Sequence, residues 1–479
     1  MSLTVDIRSA SYESPGVAEP VLHDVGFTLS CDESVGVLGR NGSGKSSLGY
    51  AIAGILPRLM AGRVDGEVSL DGALLSQTST EAWLAKVGIL FQDCDAQFFS
   101  LRLADEFPDH EVVEHFQLQG LMDRSPAELS MGQRQKAALA IAVARKPRCL
   151  LLDEPGTTLD PPSQRQLRRL LESLRTSGVQ MLLLSQRPTG VFGMVNRVLG
   201  LKAGTLRFDT SGTSVSPDAL ADLFDIAPEA ARSQASLGRP TPDGQELILC
   251  EKMEFEYRGG HFRLSLTEPL SVARGSTLGL VGANGSGKST LLCLLAGLAR
   301  ARRGGSLVSV NSRKPGHRAA IVFQNPNHQL FASSIHDELR FGLENHAVPS
   351  PEIERRIAWG REFFGLGDLH RDPHTLSYGQ KKILALACAF VLEPDVVLLD
   401  EPELGLDLYH RAALKRLIHE WQKARRTAFV IATHDLELIR QETDYLLLLS
   451  DGRVACVGPT KDAIGEVHHH FGLGEGDEW

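Results

Sequence analysis

The sequence predicts an α/β fold made twice over, two tandem halves each built on a buried, mainly parallel sheet. Three observations lead there. The first is internal repetition, the signature of a duplicated unit. GRNGSGKSS at Gly39–Ser47 recurs as GANGSGKST at Gly282–Thr290, and FQDCDAQFF from Phe91 recurs as FQNPNHQLF from Phe323. LSMGQ from Leu129 recurs as LSYGQ from Leu376, and LLLDEP recurs as VLLDEP. Four motifs in the same order at similar spacing mean two copies of one domain. The second observation is the short, wholly apolar runs CLLLD and MLLLS in the first half, VVLLD and FVIAT in the second. Such runs alternating with helical segments read as strands buried on both faces. The third is the glycine-rich loop between a strand and an apolar helix, found in both halves.

Each element follows in order. A β-rich start precedes each glycine loop, and LLCLLAGLA after the second loop reads as an apolar helix. KAALAIAVA and KKILALACAFV follow the LSxGQ strings and read as further buried helices. Residues 210–245, with TSGTSVSP and SLGRPTPDGQ, read as a linker containing a short helix near Pro217–Phe224. The domains are therefore expected at 1–209 and 246–479.

Composition bounds the function. The chain has 479 residues, 42% hydrophobic and 23% charged, with a net charge of −9. That balance argues against a dedicated nucleic-acid binder. The seven cysteines form no CxxC pair and read as residues of a reducing compartment. The longest pure apolar run, Ile383–Leu392, has the length of a buried helix and not of a membrane span. The N-terminus lacks a signal-peptide core, so a cytoplasmic protein is expected, reaching a membrane only through a partner.

The glycine loops match the pattern for wrapping phosphates with backbone N–H groups at a helix N-terminus. Candidate nucleotide-binding residues are Gly39, Asn41, Gly42, Ser43, Gly44, Lys45, Ser46 and Ser47, with Gly282, Asn284, Gly285, Ser286, Gly287, Lys288, Ser289 and Thr290 in the second copy. Lys45 and Lys288 would reach the β- and γ-phosphates, and Ser46 and Ser289 would ligate Mg²⁺. Asp153 and Asp400 end apolar strands, where a carboxylate would hold the cation. Glu154 and Glu401 follow them and would orient or deprotonate the attacking water. Gln92 and Gln324 follow the strands VGILF and AAIVF, where an amide can touch Mg²⁺ or water without changing charge. Ser130 and Ser377, with Gly132, Gln133, Gly379 and Gln380, open apolar helices; as bare strings they are serine-capped helix starts.

On these motifs the chain resembles the ATP-binding-cassette (ABC) ATPase superfamily over nearly its whole length outside the linker. The resemblance implies two tandem P-loop nucleotide-binding domains, each with a mainly parallel core sheet, an antiparallel β subdomain and a helical subdomain. It also implies that the halves pair within the chain, head to tail, around two ATP molecules. One site would join Lys45, Ser46, Gln92, Asp153 and Glu154 to Ser377 and Gly379. The other would join Lys288, Ser289, Gln324, Asp400 and Glu401 to Ser130 and Gly132. Exchange of halves between two chains stays open. Tyr12 and Tyr257 fall where family members stack an aromatic ring on adenine; both also fit as ordinary strand tyrosines.

Two departures from the family pattern stand out. The switch histidine after the last core strand is present as His434 in ATHD, but the first half reads LSQRP and places Gln186 there. Glutamine can donate a hydrogen bond but cannot become cationic, so unequal sites are expected, the faster one closed by His434. The second departure is length: the stretch from Gln92 to Ser130 is shorter than that from Gln324 to Ser377 by about a helix, whose counterpart is RFGLENHAVPSPEIERR.

The Q-loop points to a class within the family. FQNPNHQLF, echoed by FQDCDAQFF, resembles the segment typical of energy-coupling-factor (ECF) transporter ATPases, with Gln97 and Gln329 as its second glutamine. That resemblance implies a vitamin or metal-ion importer at the cytoplasmic face of the cell membrane. Its partners would be a T-type membrane scaffold and a substrate-binding S-type subunit. Another ABC importer, such as one for sugars, and a soluble nucleotide switch of translation or repair are the alternatives. His468–His470 reads as a solvated tail, and Arg300, Arg302 and Arg303 as solvated surface.

Overall fold

The computed structural model describes residues 2–13, 20–31, 33–107, 110–129, 131–157, 159–188, 191, 193–211, 215–226, 246–250, 252–257, 262–301, 303–304 and 319–473. Ser130, Arg302 and the part of the expected linker at 227–245 lie outside them. Chain contacts divide the protein into two compact units, the first built on described residues up to 226 and the second on those from 246 onward, apart from 406–409.

The first unit opens with an antiparallel sheet ordered Leu22–Ser30, Ser2–Tyr12, Gly62–Leu70, Ala73–Leu74. Alternation in the strand Ser2–Tyr12 buries Leu3, Val5 and Ile7 and turns Thr4 and Asp6 outward, as one covered face requires. The second sheet runs Thr205–Ser211, Arg197–Lys202, Ser34–Leu38, Gln180–Ser185, Cys149–Asp153, Val87–Leu90. Its neighbours are parallel except for Thr205–Ser211. Ser34–Leu38, Cys149–Asp153 and Gln180–Ser185 are buried at every residue, which accounts for their unbroken apolar runs. Each fully buried Leu, Ile or Val there contributes roughly 1.5–3 kcal/mol.

The second unit repeats this core. Ala319–Val322, Val396–Asp400, Ala428–Ala432, Thr277–Gly282 and Tyr445–Ser450 pair in parallel in that order. Arg453–Pro459 then adds antiparallel. In both units the parallel strands end on one edge of the sheet, so the residues that follow them converge there.

The expected difference in length is plain in the helices. The second unit places Ile335–Asn345 and Ser350–Phe364 before the helix Tyr378–Phe390. The first has one six-residue helix, His110–His115, and short 3-10 turns before Met131–Ala144. Within 210–245, the helix Pro217–Phe224 buries Leu223 and Phe224 fully and packs against Arg197–Lys202 of the first unit. The three histidines 468–470 do not form a tail: they close the helix Thr460–Phe471, which buries Val467 and Phe471 against Tyr445–Ser450 and Arg453–Pro459 of the second unit. Among the described residues no helix is long and apolar enough to cross a membrane.

Candidate active site

Each glycine loop connects a buried strand to a short helix, Ser34–Leu38 to Lys45–Ile52 and Thr277–Gly282 to Lys288–Leu295. The turn into the helix is left-handed at Gly44 (φ 102°) and Gly287 (φ 108°). A Cβ there would also stand 2.9 Å from the Val21 carbonyl oxygen or 2.7 Å from the Phe262 ring, so only glycine fits. Both loop lysines are buried and fold back on their own loop. Lys45 Nζ donates to the carbonyls of Gly39 (2.8 Å) and Arg40 (2.9 Å), and Lys288 Nζ to those of Gly282 (2.8 Å) and Ala283 (3.3 Å). The hydroxyls of Ser43 and Ser286 are buried without a hydrogen-bond partner among the described residues. Orphaned donors lining a loop of backbone N–H groups are the chemistry of an anion cradle.

Beneath each loop sits a serine–aspartate pair. Ser46 Oγ donates to Asp153 Oδ2 at 2.6 Å, and Ser289 hydrogen-bonds Asp400 in the same way. Burial pushes both carboxyls above the usual aspartate range, although the serine and the nearby lysine pull the other way. Asp400 Oδ1 is buried with no hydrogen-bond partner among the described residues. A hydroxyl beside a buried carboxylate with an unused oxygen is the donor set of a hard divalent cation, so these residues fit one.

Glu154 and Glu401 follow the aspartates with positive φ, 54° and 44°. That turn aims each carboxylate at the chain leaving the next strand. Glu154 accepts from the backbone N–H of Gln186 at 2.7 Å, and Glu401 from that of His434 at 3.3 Å. Here the halves diverge. The His434 ring Nδ1 is 2.8 Å from Glu401 Oε2, and Lys288 Nζ is 3.8 Å from Oε1. Burial alone would raise Glu401, but the His434 ring and then Lys288 outweigh it and hold the carboxylate below the usual range. The Gln186 amide, fully buried, has neither end hydrogen-bonded among the described residues. With burial dominant and Lys45 the main opposing charge, Glu154 is pushed upward instead.

The remaining candidates fall around these centres. Gln92 and Gln324 stand just beyond Val87–Leu90 and Ala319–Val322, the first exposed and the second half-buried. The hydroxyl of Tyr12 donates to Ser47 Oγ at 3.0 Å, and that of Tyr257 lies 3.2 Å from Thr290 Oγ1, so each ring stands over its own loop. Ser377 caps the helix Tyr378–Phe390 in a reciprocal box: its Oγ accepts from the Gln380 N–H at 3.3 Å, and Gln380 Oε1 accepts from the Ser377 N–H at 3.0 Å. Gly379 is buried in that first turn. Gly132 and Gln133 begin the matching helix of the first unit.

Sequence reading passed over three residues of the second centre. Tyr378 donates from its hydroxyl to the Gln324 carbonyl at 3.0 Å. Lys382 is fully buried, and its Nζ donates to the carbonyls of Phe323 and Gln324, each at 3.0 Å. Glu403, almost fully buried, accepts from the Thr433 hydroxyl. Its carboxylate, that of Glu401 and the His434 ring each place one atom within 4.8 Å of the others. The signal was a mismatch between the copies: DEPE against DEPG, and GQKK against GQRQ.

The sequence profile of the ABC transporter family matches residues 22–157 and again 268–403. The chain belongs to the ABC transporter family. An ABC ATPase uses ATP and hydrolyses it, and this chain is such an enzyme with two copies of the domain. It is 30% identical to the Bacillus subtilis protein named as the HMP/thiamine import ATP-binding protein YkoD, across 95% of this chain and 91% of that one. An ABC transporter ATP-binding protein of Saccharolobus solfataricus is 28% identical, with 97% and 96% covered. Among solved structures, the RNase-L Inhibitor superposes with a TM-score of 0.68 at 20% identity, covering 97% of this chain and 93% of that one. The archaeal ribosome recycling factor aABCE1, solved with the ribosomal stalk protein aP1, gives a TM-score of 0.70 at 20% identity, with 98% and 94% covered. At that identity these two report a shared tandem ABC fold.

Alanine at Lys288 or at Lys45 is expected to weaken ATP binding to its own half by about 10–100-fold, the worth of one hydrogen bond from a charged donor. Equilibrium titration of the full-length chain with a non-hydrolysable ATP analogue checks this.

Proposed function

We propose that this chain is the ATP-hydrolysing motor of an ECF-type importer for a vitamin, metal ion or similar micronutrient, peripheral to the cytoplasmic face of the membrane. A T-type membrane scaffold would dock beside each Q-loop, with an S-type subunit carrying the substrate. The observation that carries the reading is how the second glutamine of each Q-loop is used. Gln97 Oε1 accepts from the Phe91 N–H at 3.0 Å while its Nε2 donates to the Ile89 carbonyl, and Gln329 Oε1 accepts from the Phe323 N–H at 3.3 Å. The amide thereby staples the loop back onto its strand. A second staple follows: Glu106 accepts from the N–H groups of Phe99 and Ser100, and Glu338 from those of Phe331 and Ala332.

Between the staples the loop tip pushes large apolar side chains into solvent. Phe99 is 90% exposed, and Phe331, 60% exposed, packs edge-on against the 49%-exposed Phe341. Rigidly held exposed aromatics favour a partner surface over a free one. The thiamine-import relative, alike over nearly the full chain, supports an importer.

In the proposed cycle, Lys45 or Lys288 leaves its loop carbonyls for the phosphates of ATP. Ser46 with Asp153 and Gln92, and Ser289 with Asp400 and Gln324, would hold Mg²⁺, which neutralises the phosphate charge. Glu401 or Glu154 orients the attacking water and takes its proton, with His434 or Gln186 on the γ-phosphate. Tyr12 and Tyr257 would stack on adenine. Ser377, Gly379 and Gln380, or Ser130, Gly132 and Gln133, would seal the nucleotide held by the opposite half. ATP would thus draw the halves together, and that closure would move the scaffold.

Affinity purification of the tagged chain from detergent-solubilised membranes tests this. An integral membrane protein is expected to co-purify, and Phe331→Glu with Phe341→Glu is expected to release it from a chain of unaltered melting temperature. Recovery with ribosomes and without any integral membrane protein would overturn the reading.

A further inference from the structure

The Q-loop and the signature helix are joined by a side-chain tie at the same register in both halves. In the first, Arg134, four residues beyond Ser130, places Nη1 2.9 Å from each carboxylate oxygen of Asp95, which stands three beyond Gln92. In the second, Lys381, four beyond Ser377, donates from Nζ at 2.9 Å to Oδ1 of Asn327, three beyond Gln324. The same turn sets the acceptor each time. Asp93 Oδ1 accepts from the Asp95 N–H, and Asn325 Oδ1 from the Asn327 N–H, both at 3.0 Å. The amides of Gln97 and Gln329 then fasten the loop to its strand. The copies differ in residue type at the turn, the acceptor and the donor, yet both bonds are made in each. The fold has kept the contact while the letters changed.

The two ties are not equally backed. In the second half two further side chains make the same crossing: the Tyr378 hydroxyl and Lys382 Nζ each donate to the Gln324 carbonyl at 3.0 Å. In the first half Gln135 holds the position of Lys382, and its amide donates to the Pro155 carbonyl instead. That half, which is also shorter by a helix between the two motifs, depends more on its one ion pair. The chemistry suits the task, because a hydrogen bond between two ionised groups is roughly twice as strong as a neutral one. The Arg134 side chain is 22% exposed and that of Asp95 58%, so solvent screening leaves the pair little weight in folding stability. A contact of this kind sets the angle of one segment against another without holding the fold together.

We propose that Asp95 and Arg134 are positioning residues for ATP hydrolysis. Their ion pair holds the first half's signature helix at a fixed angle to its Q-loop, so that a displacement of the loop passes to the helix that carries Ser130. Both act through that helix and not on the nucleotide. The loop tip just beyond Asp95 carries the exposed Phe99, so the tie also joins the surface offered to a partner to the signature serine. The proposal rests on the readings that the signature helix seals ATP and that Glu401 performs hydrolysis.

Charge reversal tests the tie in the full-length chain. Steady-state ATPase rates and melting temperatures are measured for Asp95→Arg, Arg134→Asp and the double variant, which restores a pair of opposite charges. Ser130→Phe and Glu401→Gln serve as controls of the site. Each single reversal is expected to lose about threefold or more in kcat, with less than about twofold change in KM for ATP and an unaltered melting temperature. The double variant is expected to recover to within about twofold of the parent. Single variants that keep the parent's kcat, or a double variant whose loss is the product of the two, would overturn the proposal. A control that keeps full activity would instead overturn the reading of the site itself. If a single variant melts early, the double variant decides: a rate like the parent's supports the tie, and a slow double overturns it.

Discussion

Glutamine in place of Glu401 is expected to leave only about 1–10% of the ATPase activity, whereas Glu154→Gln leaves more than half. The amide keeps the shape of the carboxylate but cannot accept the water's proton, and a positioned general base contributes about 10²–10⁴-fold. What remains after Glu401→Gln is the turnover of the first half. That half lacks the imidazole, and losing one charge-assisted hydrogen bond of ~1.5–3 kcal/mol slows a step by roughly 10–100-fold. The structure adds a reason beyond the missing cation. The His434 ring and Lys288 hold Glu401 below the usual carboxylate range, while burial raises Glu154, so the two bases sit in opposite electrostatic settings. Phosphate release by the purified full-length chain is the measurement, and equal losses from the two variants would contradict the asymmetry.

The second large effect is expected from His434→Gln, which gives the second half the first half's residue. A fall of about 10–100-fold in kcat follows from the same lost charge-assisted bond. The carboxylate of Glu401 also loses the group 2.8 Å away that keeps it below its usual range. The reverse exchange is informative when read in the Glu401→Gln background, where only the first half turns over. Gln186 sits fully buried, and its amide has no hydrogen-bond partner among the described residues, so an imidazole replaces it without breaking a described hydrogen bond. Gln186→His should then raise the residual rate by about threefold or more. A residual rate that stays flat would mean that the imidazole is not what separates the halves.

Much of this was legible in the sequence because the chemistry is local. A loop that wraps phosphate must be contiguous, with glycine where φ is positive, and so GxxxxGKS names Gly44, Lys45 and Ser46 without a structure. Strands buried on both faces write themselves as CLLLD and VVLLD, so the aspartates at their ends were placed by the strings alone. The loss of a helix from the first half was readable as a shortened interval, and the Gln186 for His434 exchange as one letter after a strand.

Tertiary structure alone decided which of the remaining letters work together. Gln97 and Gln329 were part of a resemblance until the fold turned their amides back onto the preceding strand. Nothing in the strings GQKK and DEPE gave Lys382 or Glu403 a role. Each proved buried because a helix, two strand ends and a turn, far apart in sequence, meet at the same edge of the sheet. A string records which residues are neighbours along the chain. It does not record the dielectric around them, and in a low-dielectric interior the meaning of a charge is set by whatever distant segment is packed against it.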